Sequence, residues 1–206
     1  MPRRIDPDAQ DESLSIFQAF TDLMSNAFMI ISFFLLISLL QAIMLNQKLK
    51  SASPIIIDEK SGNFKFQSGS AEVPFKFKEH IKVKIIPEIQ ATTKQDNIDF
   101  IQVIGHTDGQ ATKSLSNLDI ELTPAAAGSQ TITSLKAGSN ADLGLMRAIA
   151  VVQLLQQTKG LENVKFRAYS AAQLYSPDGK IAVADRSADD SRRRIEIRFI
   201  PHGQKK

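Results

Sequence analysis

The longest apolar stretch of the chain lies near its N-terminus, and the remainder is much more polar. No charged residue occurs between residues 23 and 47. As an α-helix, this stretch would be about 37 Å long, which exceeds the ~30 Å thickness of the hydrocarbon core of a bilayer. The pattern therefore predicts a transmembrane helix over residues 14–47. A polar tail (residues 1–13) precedes it, and a short linker (residues 48–54) follows it.

A cleaved signal peptide is the alternative explanation of this stretch, with Ser51-Ala52-Ser53 as the cleavage site. The apolar core of a signal peptide spans roughly 7–15 residues and follows a cationic segment. Here the apolar stretch is longer, and the segment before it is acidic, with Asp6, Asp8, Asp11 and Glu12. The sequence therefore favours a retained membrane anchor.

Beyond the linker, strand-like and helix-like patterns alternate and predict a folded domain over residues 55–201, followed by a tail over residues 202–206. Period-two alternation predicts strands at 98–105, 164–169 and 194–200, and helical spacing of apolar residues predicts helices at 77–90 and 140–157. Alternation of strands with helices is typical of layered folds. The predicted fold class is α/β of the two-layer α+β kind, with helices packed on a mixed β-sheet.

Two further segments have less regular patterns. Residues 55–57 and 64–66 are apolar around a turn at 60–63, and they predict a hairpin or a bent strand. Residues 111–138 are rich in Ser, Thr, Ala and Gly, and they are predicted to form a long loop or insertion.

The charge balance changes this picture only slightly. Of the 25 Lys and Arg residues, two precede residue 48, and of the 22 Asp and Glu residues, five do. The remainder therefore has 23 basic against 17 acidic residues. Such an excess suits an anionic wall or membrane surface, but it is too small to indicate nucleic-acid binding. The chain has no cysteine, which excludes disulfides and thiolate chemistry.

Polar residues at the start of the apolar helix are spaced to share a face. The positions that share the face of Asp22, or that form a small polar stripe beside it, are Thr21, Ser25, Asn26, Met29 and Ser32. Small polar residues favour packing against other membrane helices, so Thr21, Ser25, Asn26 and Ser32 are predicted to pack against protein. An ionisable residue inside a membrane is often part of an ion pathway. Alternatively, Asp22 lies at the membrane interface, in water.

In the predicted domain, an acidic and a basic residue are placed to meet. Asp108 follows a predicted strand, and Arg147 lies early in a predicted helix. Together they can hold a zwitterion, because the carboxylate binds an ammonium and the guanidinium binds a carboxylate with two parallel hydrogen bonds. A structural salt bridge, or two unrelated surface charges, is the simpler explanation of the same pair.

Metal binding and catalysis have little support. His106 and Asp108 could contribute to a metal site, but no third ligand is evident in the sequence. There is no nucleophile–base pair and no phosphate-binding loop. We therefore expect no metal, no bound cofactor and no enzymatic activity.

Three motifs in the domain resemble a known family. They are Gly105-His106-Thr107-Asp108, then Ser139-Asn140 with Leu143, Arg147 and Ala148, and then Arg193-Arg194-Ile195-Glu196. In this order they resemble the peptidoglycan-binding domain of the OmpA/MotB family, over about residues 55–200. The resemblance implies that Asp108 and Arg147 hold the zwitterion of a diaminopimelate-type stem peptide, supported by Thr107, Asn140 and Arg193.

The chain departs from the family pattern at three places. Arg192 stands where the family has Asn before its arginine pair, and Gly144 stands where the family has Ser. The spacing between Asp108 and Asn140 is also much longer than in the family.

The membrane segment resembles the same family. Phe20-Thr21-Asp22-Leu23-Met24-Ser25, followed by a Phe/Leu/Ile run, is similar to the MotB-type membrane helix. This implies the B subunit of an ion-driven rotary motor, in which Asp22 binds the translocated H⁺ or Na⁺. It also implies a homodimer inside a ring of a polytopic MotA-like partner, in contact with membrane lipid.

The resemblance further implies a location in the bacterial inner membrane, with a cytoplasmic N-terminus and a periplasmic domain. Lys and Arg residues flank the apolar stretch on both sides, so their distribution alone does not decide this orientation. The short linker fits a motor outside the flagellum, such as a Zorya-type anti-phage defence B subunit, better than a flagellar stator. The main alternative is a passive OmpA-like tether between membrane and wall, for which Asp22 has no use.

Overall fold

The chain forms two compact units, which divide between Lys50 and Ser51. The computed structural model describes residues 7–51, 53–61, 65–95, 97–112 and 114–202. Residues 1–6 of the predicted N-terminal tail and residues 203–206 of the predicted C-terminal tail lie outside the described residues.

The described part of the first unit is a single long helix, α1, which spans Pro7–Ser51 and so ends one residue beyond the boundary. It extends beyond the predicted segment 14–47 at both ends. Its stretch Ser15–Leu45 contains an 18-residue window with a mean hydropathy of 2.5. Within the described part of the chain, this is the one helix long and apolar enough to cross a membrane. The Thr21 hydroxyl donates to the carbonyl of Phe17 one turn earlier, at 2.8 Å, so this polar group is satisfied inside the helix.

The second unit is built on a four-stranded mixed sheet. The strands are β1 (Ile55–Asp58), β2 (Ile98–His106), β3 (Phe166–Ala172) and β4 (Arg194–Pro201). Their order in the sheet is β1-β4-β2-β3. β4 runs antiparallel to both β1 and β2, whereas β2 and β3 are parallel. This confirms the predicted α+β class with a mixed sheet.

The predicted hairpin between residues 55–57 and 64–66 is wrong. β1 pairs with β4, and residues 65–67 form no strand; Phe64 lies outside the described residues. Phe66 instead turns into the core, where its ring packs edge-on against Phe77 at a centroid distance of 5.4 Å. Burial of this aromatic ring draws the segment away from the sheet edge.

The first helical segment of the domain runs further than predicted. α2 (Phe75–His80) continues through a π-helical turn at Ile81–Ile85 into α3 (Ile86–Gln95). Pro87 has no N–H, and its ring needs room near the preceding turn. The wider π turn ends two residues before the proline, and within it the N–H of Ile86 donates to the carbonyl of Ile81. The helix therefore continues past a residue that usually ends one.

Helix α5 (Asn140–Gln156) confirms the prediction at 140–157 and packs against β2 and β3. Its N-terminus is fixed by a capping box, in which the Ser139 hydroxyl accepts from Asp142 N–H and the Asp142 carboxylate accepts from Ser139 N–H. The core between the helical layer and the sheet includes Ile81, Ile89, Ile101, Val103, Val151, Leu155, Ile195 and Ile197.

The predicted loop at 111–138 contains a helix, α4 (Leu118–Ala126), and a 3₁₀ turn at Ile132–Ser134. Asn117 ties the two together, because its side chain accepts from Lys136 N–H at 2.7 Å and donates to Ser134 O at 2.9 Å. The buried residues of the insertion join α5 in a second apolar cluster that includes Leu118, Ala125, Leu135, Leu143 and Met146. Pro124 inside α4 obscures its helical pattern in the sequence.

Helix α5 crosses β2 at a contact between two glycines. A Cβ on Gly105 would overlap the carbonyl oxygen of Gly144, and a Cβ on Gly144 would overlap the Ser170 hydroxyl. Gly144, the departure from the family serine, is thus required by the close approach of helix and strand.

Candidate functional site

The candidate site lies where three strands meet at one edge of the sheet. β1 and β2 end there, and β4 begins there, since Asp58 and His106 both pair with Arg194. The residues just outside the strands therefore converge. They surround a cavity of about 290 Å³ whose walls include Ser68, Asp108, Lys136, Asn140, Arg147 and Arg193.

Arg193 is the central cation of the site. Its Nε lies 2.6 Å from Glu59 Oε2, its Nη1 lies 2.6 Å from Asp108 Oδ2, and its Nη2 contacts Asp190. Burial lowers the pKa of Arg193, but the hydrogen bonds and charges of Glu59 and Asp108 outweigh this, and the net pKa is raised. Arg193 is therefore a fully engaged structural cation, which the sequence placed only in a supporting role.

Asp108 is buried and already paired. Besides the ion pair with Arg193, its Oδ2 accepts from the backbone N–H of Asp189 at 3.3 Å, and its Oδ1 accepts from that of Gln110 at 3.3 Å. The alternative of a salt bridge between Asp108 and Arg147 is wrong, because Arg193 takes that place. The carboxylate still lines the cavity, beside Arg193.

Arg147 is buried, and its guanidinium contacts neutral groups. Only 2% of its surface is exposed. Its Nε donates to Ser70 O at 3.0 Å, its Nη2 donates to Gln67 O at 3.4 Å, and its guanidinium lies 4.7 Å from the centre of the Phe66 ring. Among the residues that the structure describes, no carboxylate oxygen lies within 4 Å of it.

The charge of Arg147 nevertheless persists. Burial lowers the pKa of its guanidinium to about 10, with Glu59 and Asp108 opposing the shift, so the side chain stays protonated at neutral pH. A buried cation whose partners are neutral groups costs free energy. Its position in the cavity wall makes an anionic ligand group the natural partner.

The other two predicted site residues differ in position. Asn140 lines the cavity and donates from Nδ2 to Gln110 O at 2.9 Å, so it links the start of α5 to the loop after β2. Thr107 is 1% exposed and does not line the cavity. Its N–H donates to Ala172 O at 2.9 Å, and its Oγ1 has no partner among the described residues. Thr107 supports the site only through the backbone.

Sequence reasoning missed two site residues, Glu59 and Phe66. Glu59 is buried, pairs with Arg193, and accepts from Phe66 N–H through Oε1 at 3.0 Å. The sequence did contain a signal for Glu59, because this residue directly follows an apolar strand, much as Asp108 does. Phe66 gave no comparable signal, because an isolated aromatic residue is an ordinary core residue.

The insertion also contributes to the site. Lys136 and residues 111–112 and 114 form one wall of the cavity. The segment that makes the spacing between Asp108 and Asn140 unusually long is thus part of the candidate binding surface.

His106 lies in a separate buried group of polar side chains, next to Glu196. It is 3% exposed, and its Nε2 lies 3.3 Å from Glu196 Oε1 without the alignment of a hydrogen bond. The adjacent imidazole of His106 first, and then the hydrogen bond and charge of Arg198, lower the pKa of Glu196 to about 2, against the effect of burial. In the described part of the chain, no group of three His, Cys, Asp or Glu side chains is arranged to hold a metal ion.

The membrane residues lie on α1, and the structure leaves Thr21, Asp22, Ser25, Asn26 and Ser32 exposed on that helix. Their roles in ion translocation and helix packing stay predictions.

The domain is similar to several solved structures. The periplasmic domain of Helicobacter pylori MotB matches with 16% identity and a TM-score of 0.44, covering 73% of this chain and 76% of that chain. A protein from Desulfovibrio vulgaris described as MotB-like matches with 13% identity and a TM-score of 0.44, covering 72% and 75%. The OmpA-like domain of FopA1 from Francisella tularensis matches with 17% identity and a TM-score of 0.34, covering 72% and 73%.

These are the two groups of proteins that the sequence motifs resemble. No family model matches the sequence, and no curated protein matches it. Identities and TM-scores as low as these carry no functional assignment, which has to come from the residues of this chain.

Proposed function

We propose that this chain belongs to the MotB/OmpA-like family and acts as the peptidoglycan-anchored B subunit of an ion-driven membrane motor. The observation that carries the proposal is the state of Arg147, a buried and charged guanidinium in a cavity that Asp108 also lines, with no carboxylate partner among the described residues. The three motifs that build this cavity are the ones that resemble the peptidoglycan-binding family.

The ligand of the cavity is a diaminopimelate-type zwitterion of the wall stem peptide. Its carboxylate binds the guanidinium of Arg147, and its ammonium lies beside Asp108, whose carboxylate is held in place by Arg193. Asn140 and Lys136 complete the walls of the cavity. The sequence predicted that Asp108 and Arg147 alone bind the two charges of the ligand. In the structure, the group beside the ammonium is Asp108 paired with Arg193.

The motor half of the proposal rests on α1. Asp22 is the only charged residue of the apolar stretch Ser15–Leu45. An acidic group inside a membrane costs free energy, so its presence there usually marks a functional residue. In this account, two copies of α1 pair within a polytopic MotA-like ring in the inner membrane. The N-terminus lies in the cytoplasm and the domain in the periplasm, and Asp22 carries H⁺ or Na⁺.

The short connection between the two units favours a motor with a short linker. α1 ends at Ser51 and β1 begins at Ile55, so only residues 52–54 separate them. We therefore favour a short-linker motor of the Zorya-type anti-phage defence class over a flagellar stator.

Wall binding is tested with the full chain in detergent, by co-sedimentation with purified sacculi. Arg147→Lys keeps the charge but loses the planar fork of donors. We expect sacculus binding to weaken by about 1.5–3 kcal/mol, the contribution of a hydrogen bond to a charged group. Arg167→Lys is the matched control, because Arg167 stacks on Phe100 at 3.8 Å, away from the cavity. Free diaminopimelate should release the chain from sacculi, whereas lysine methyl ester should not. Equal binding by both variants and the parent chain contradicts the assigned pocket.

A further inference from the structure

A second cavity lies on the other side of the loop that follows β2. Asp108 lines the first cavity, and the next residue, Gly109, lines the second, which has a volume of about 250 Å³. A Cβ on Gly109 would overlap the carbonyl oxygen of Asp185, so the segment around Asp185 packs directly on this loop. The two cavities are therefore neighbours separated by one stretch of backbone.

Arg192 forms the buried wall of this second cavity. It is 7% exposed, and its Nη2 donates to Gln173 O at 2.6 Å. Its buried Nε has no hydrogen-bond partner among the described residues, and none of the described carboxylates forms an ion pair with it. A buried cation with an unused donor is costly unless an anion completes its surroundings.

The rim of the cavity combines a second cation with aliphatic surface. Arg186 lines it and is exposed. Asp185 also lines it, and its carboxylate accepts from the backbone N–H and hydroxyl of Ser187. These hydrogen bonds first, and then the charge of Arg192, lower the pKa of Asp185, but the two side chains form no ion pair. Ile181 and Val183, which also line the cavity, are 84% and 82% exposed. This pairing of cationic and aliphatic groups suits a carboxylate that is attached to a carbon with a small apolar substituent.

We propose that this cavity is a second binding site, and that it takes the terminal carboxylate of a peptide whose last residue has a small aliphatic side chain. Arg192 binds the carboxylate, Arg186 adds charge at the rim, and Ile181 and Val183 contact the side chain. Arg192 stands where the resembled family has Asn, so the proposed site depends on a residue that the family pattern lacks. The identification of the wall stem peptide as the natural ligand rests on the proposed function. The binding of a peptide carboxylate at this cavity does not.

The test uses N-acetyl-D-alanine and its C-terminal amide, titrated separately into the full chain in detergent micelles. We expect the acid to bind at least about tenfold more tightly than the amide, since only the acid can accept charged hydrogen bonds. Arg192→Gln should weaken binding of the acid by about tenfold or more. Ala184→Phe, at an exposed position of the cavity wall, should do the same without touching Arg192. Arg167→Gln removes a distant positive charge and should leave binding unchanged.

Parallel titration with diaminopimelate separates this proposal from the proposed function. Arg147→Lys should weaken binding of diaminopimelate and spare that of N-acetyl-D-alanine, and Arg192→Gln should do the reverse. If diaminopimelate fails to bind while N-acetyl-D-alanine binds in an Arg192-dependent way, the first pocket is wrong and the second stands. Equal binding of acid and amide, absence of binding, or unchanged binding to Ala184→Phe overturns the second site; if Arg192→Gln fails to fold, the amide and Ala184→Phe still decide.

Discussion

Arg193 Nη1 lies 2.6 Å from Asp108 Oδ2, so the acidic residue of the candidate site has a counter-ion within the protein. The same guanidinium holds Glu59 at 2.6 Å. Three strand ends are thus joined through one arginine, and the position of Asp108 depends on Arg193. The pairing leaves Arg147 as the cation that is open to a ligand.

Replacement of Arg193 should therefore damage the fold more than replacement of a surface arginine. Arg193→Ala leaves Glu59 and Asp108 buried and unpaired, and loss of one partner of a buried ion pair costs about 3–5 kcal/mol. Urea unfolding of the full chain in detergent checks this. Tyrosine near-ultraviolet circular dichroism reports on the domain, because both tyrosines, Tyr169 and Tyr175, lie in it.

Arg198→Ala is the control for this prediction. The side chain of Arg198 is 51% exposed and pairs with Glu196 at 2.6 Å. Its loss should lower the free energy of unfolding by less than about 1 kcal/mol, as is usual for exposed ion pairs. Similar losses for the two variants would show that Arg193 does not organise the site.

Glu196 should make the domain sensitive to acid. Its pKa in the folded protein, about 2, lies below its ordinary value of 4.5. Between these values the unfolded chain binds more protons than the folded one, so the free energy of unfolding falls as the pH falls from 4.5 towards 2. Glu196→Gln should lose less stability over this interval than the parent chain, in urea titrations at a series of pH values. Parallel curves for the two proteins would contradict this.

The contact between α5 and β2 should tolerate no side chain at Gly105. Gly105→Ala places a Cβ on the carbonyl oxygen of Gly144 and forces the helix away from the sheet. We expect a loss of about 3 kcal/mol in the free energy of unfolding, at the upper end for overpacking. In the control, Gly128→Ala, the Cβ meets open space, and only the positive φ of 75° opposes it. That strain costs about 1 kcal/mol. Equal effects at Gly105 and Gly128 would mean that the helix can shift freely.

Regular patterns in the sequence predicted the regular elements well. β2, α5 and β4 have clear apolar periodicities, and the structure places them within a few residues of the predicted bounds. α4 was missed because Pro124 and small residues hide its helical spacing. The partner of β1 could not be predicted either, since the local sequence indicates a strand but not the strand with which it pairs.

The candidate site was predicted in part: Glu59 and Phe66 were missed, Thr107 does not line the cavity, and the ion pairing was not foreseen. Asp108, Asn140, Arg147 and Arg193 all line one cavity, as the motifs suggested. That Arg193 instead of Arg147 neutralises Asp108 depends on Glu59, which lies 134 residues from Arg193 in the chain. No local pattern encodes a pairing between such distant residues.

The most direct test of the motor proposal is ion uptake by proteoliposomes that contain the chain with its co-purified membrane partner. Asp22→Asn keeps the shape and part of the hydrogen bonding of the side chain, but it can neither take up a proton nor neutralise a sodium ion. We expect the parent complex to import H⁺ or Na⁺ when a membrane potential is applied. With Asp22→Asn, we expect complete loss of import, with unchanged assembly and unchanged binding to sacculi. If Asp22→Asn imports ions as fast as the parent, or if the parent complex imports none, Asp22 is not an ion carrier and the chain is a passive tether between membrane and wall.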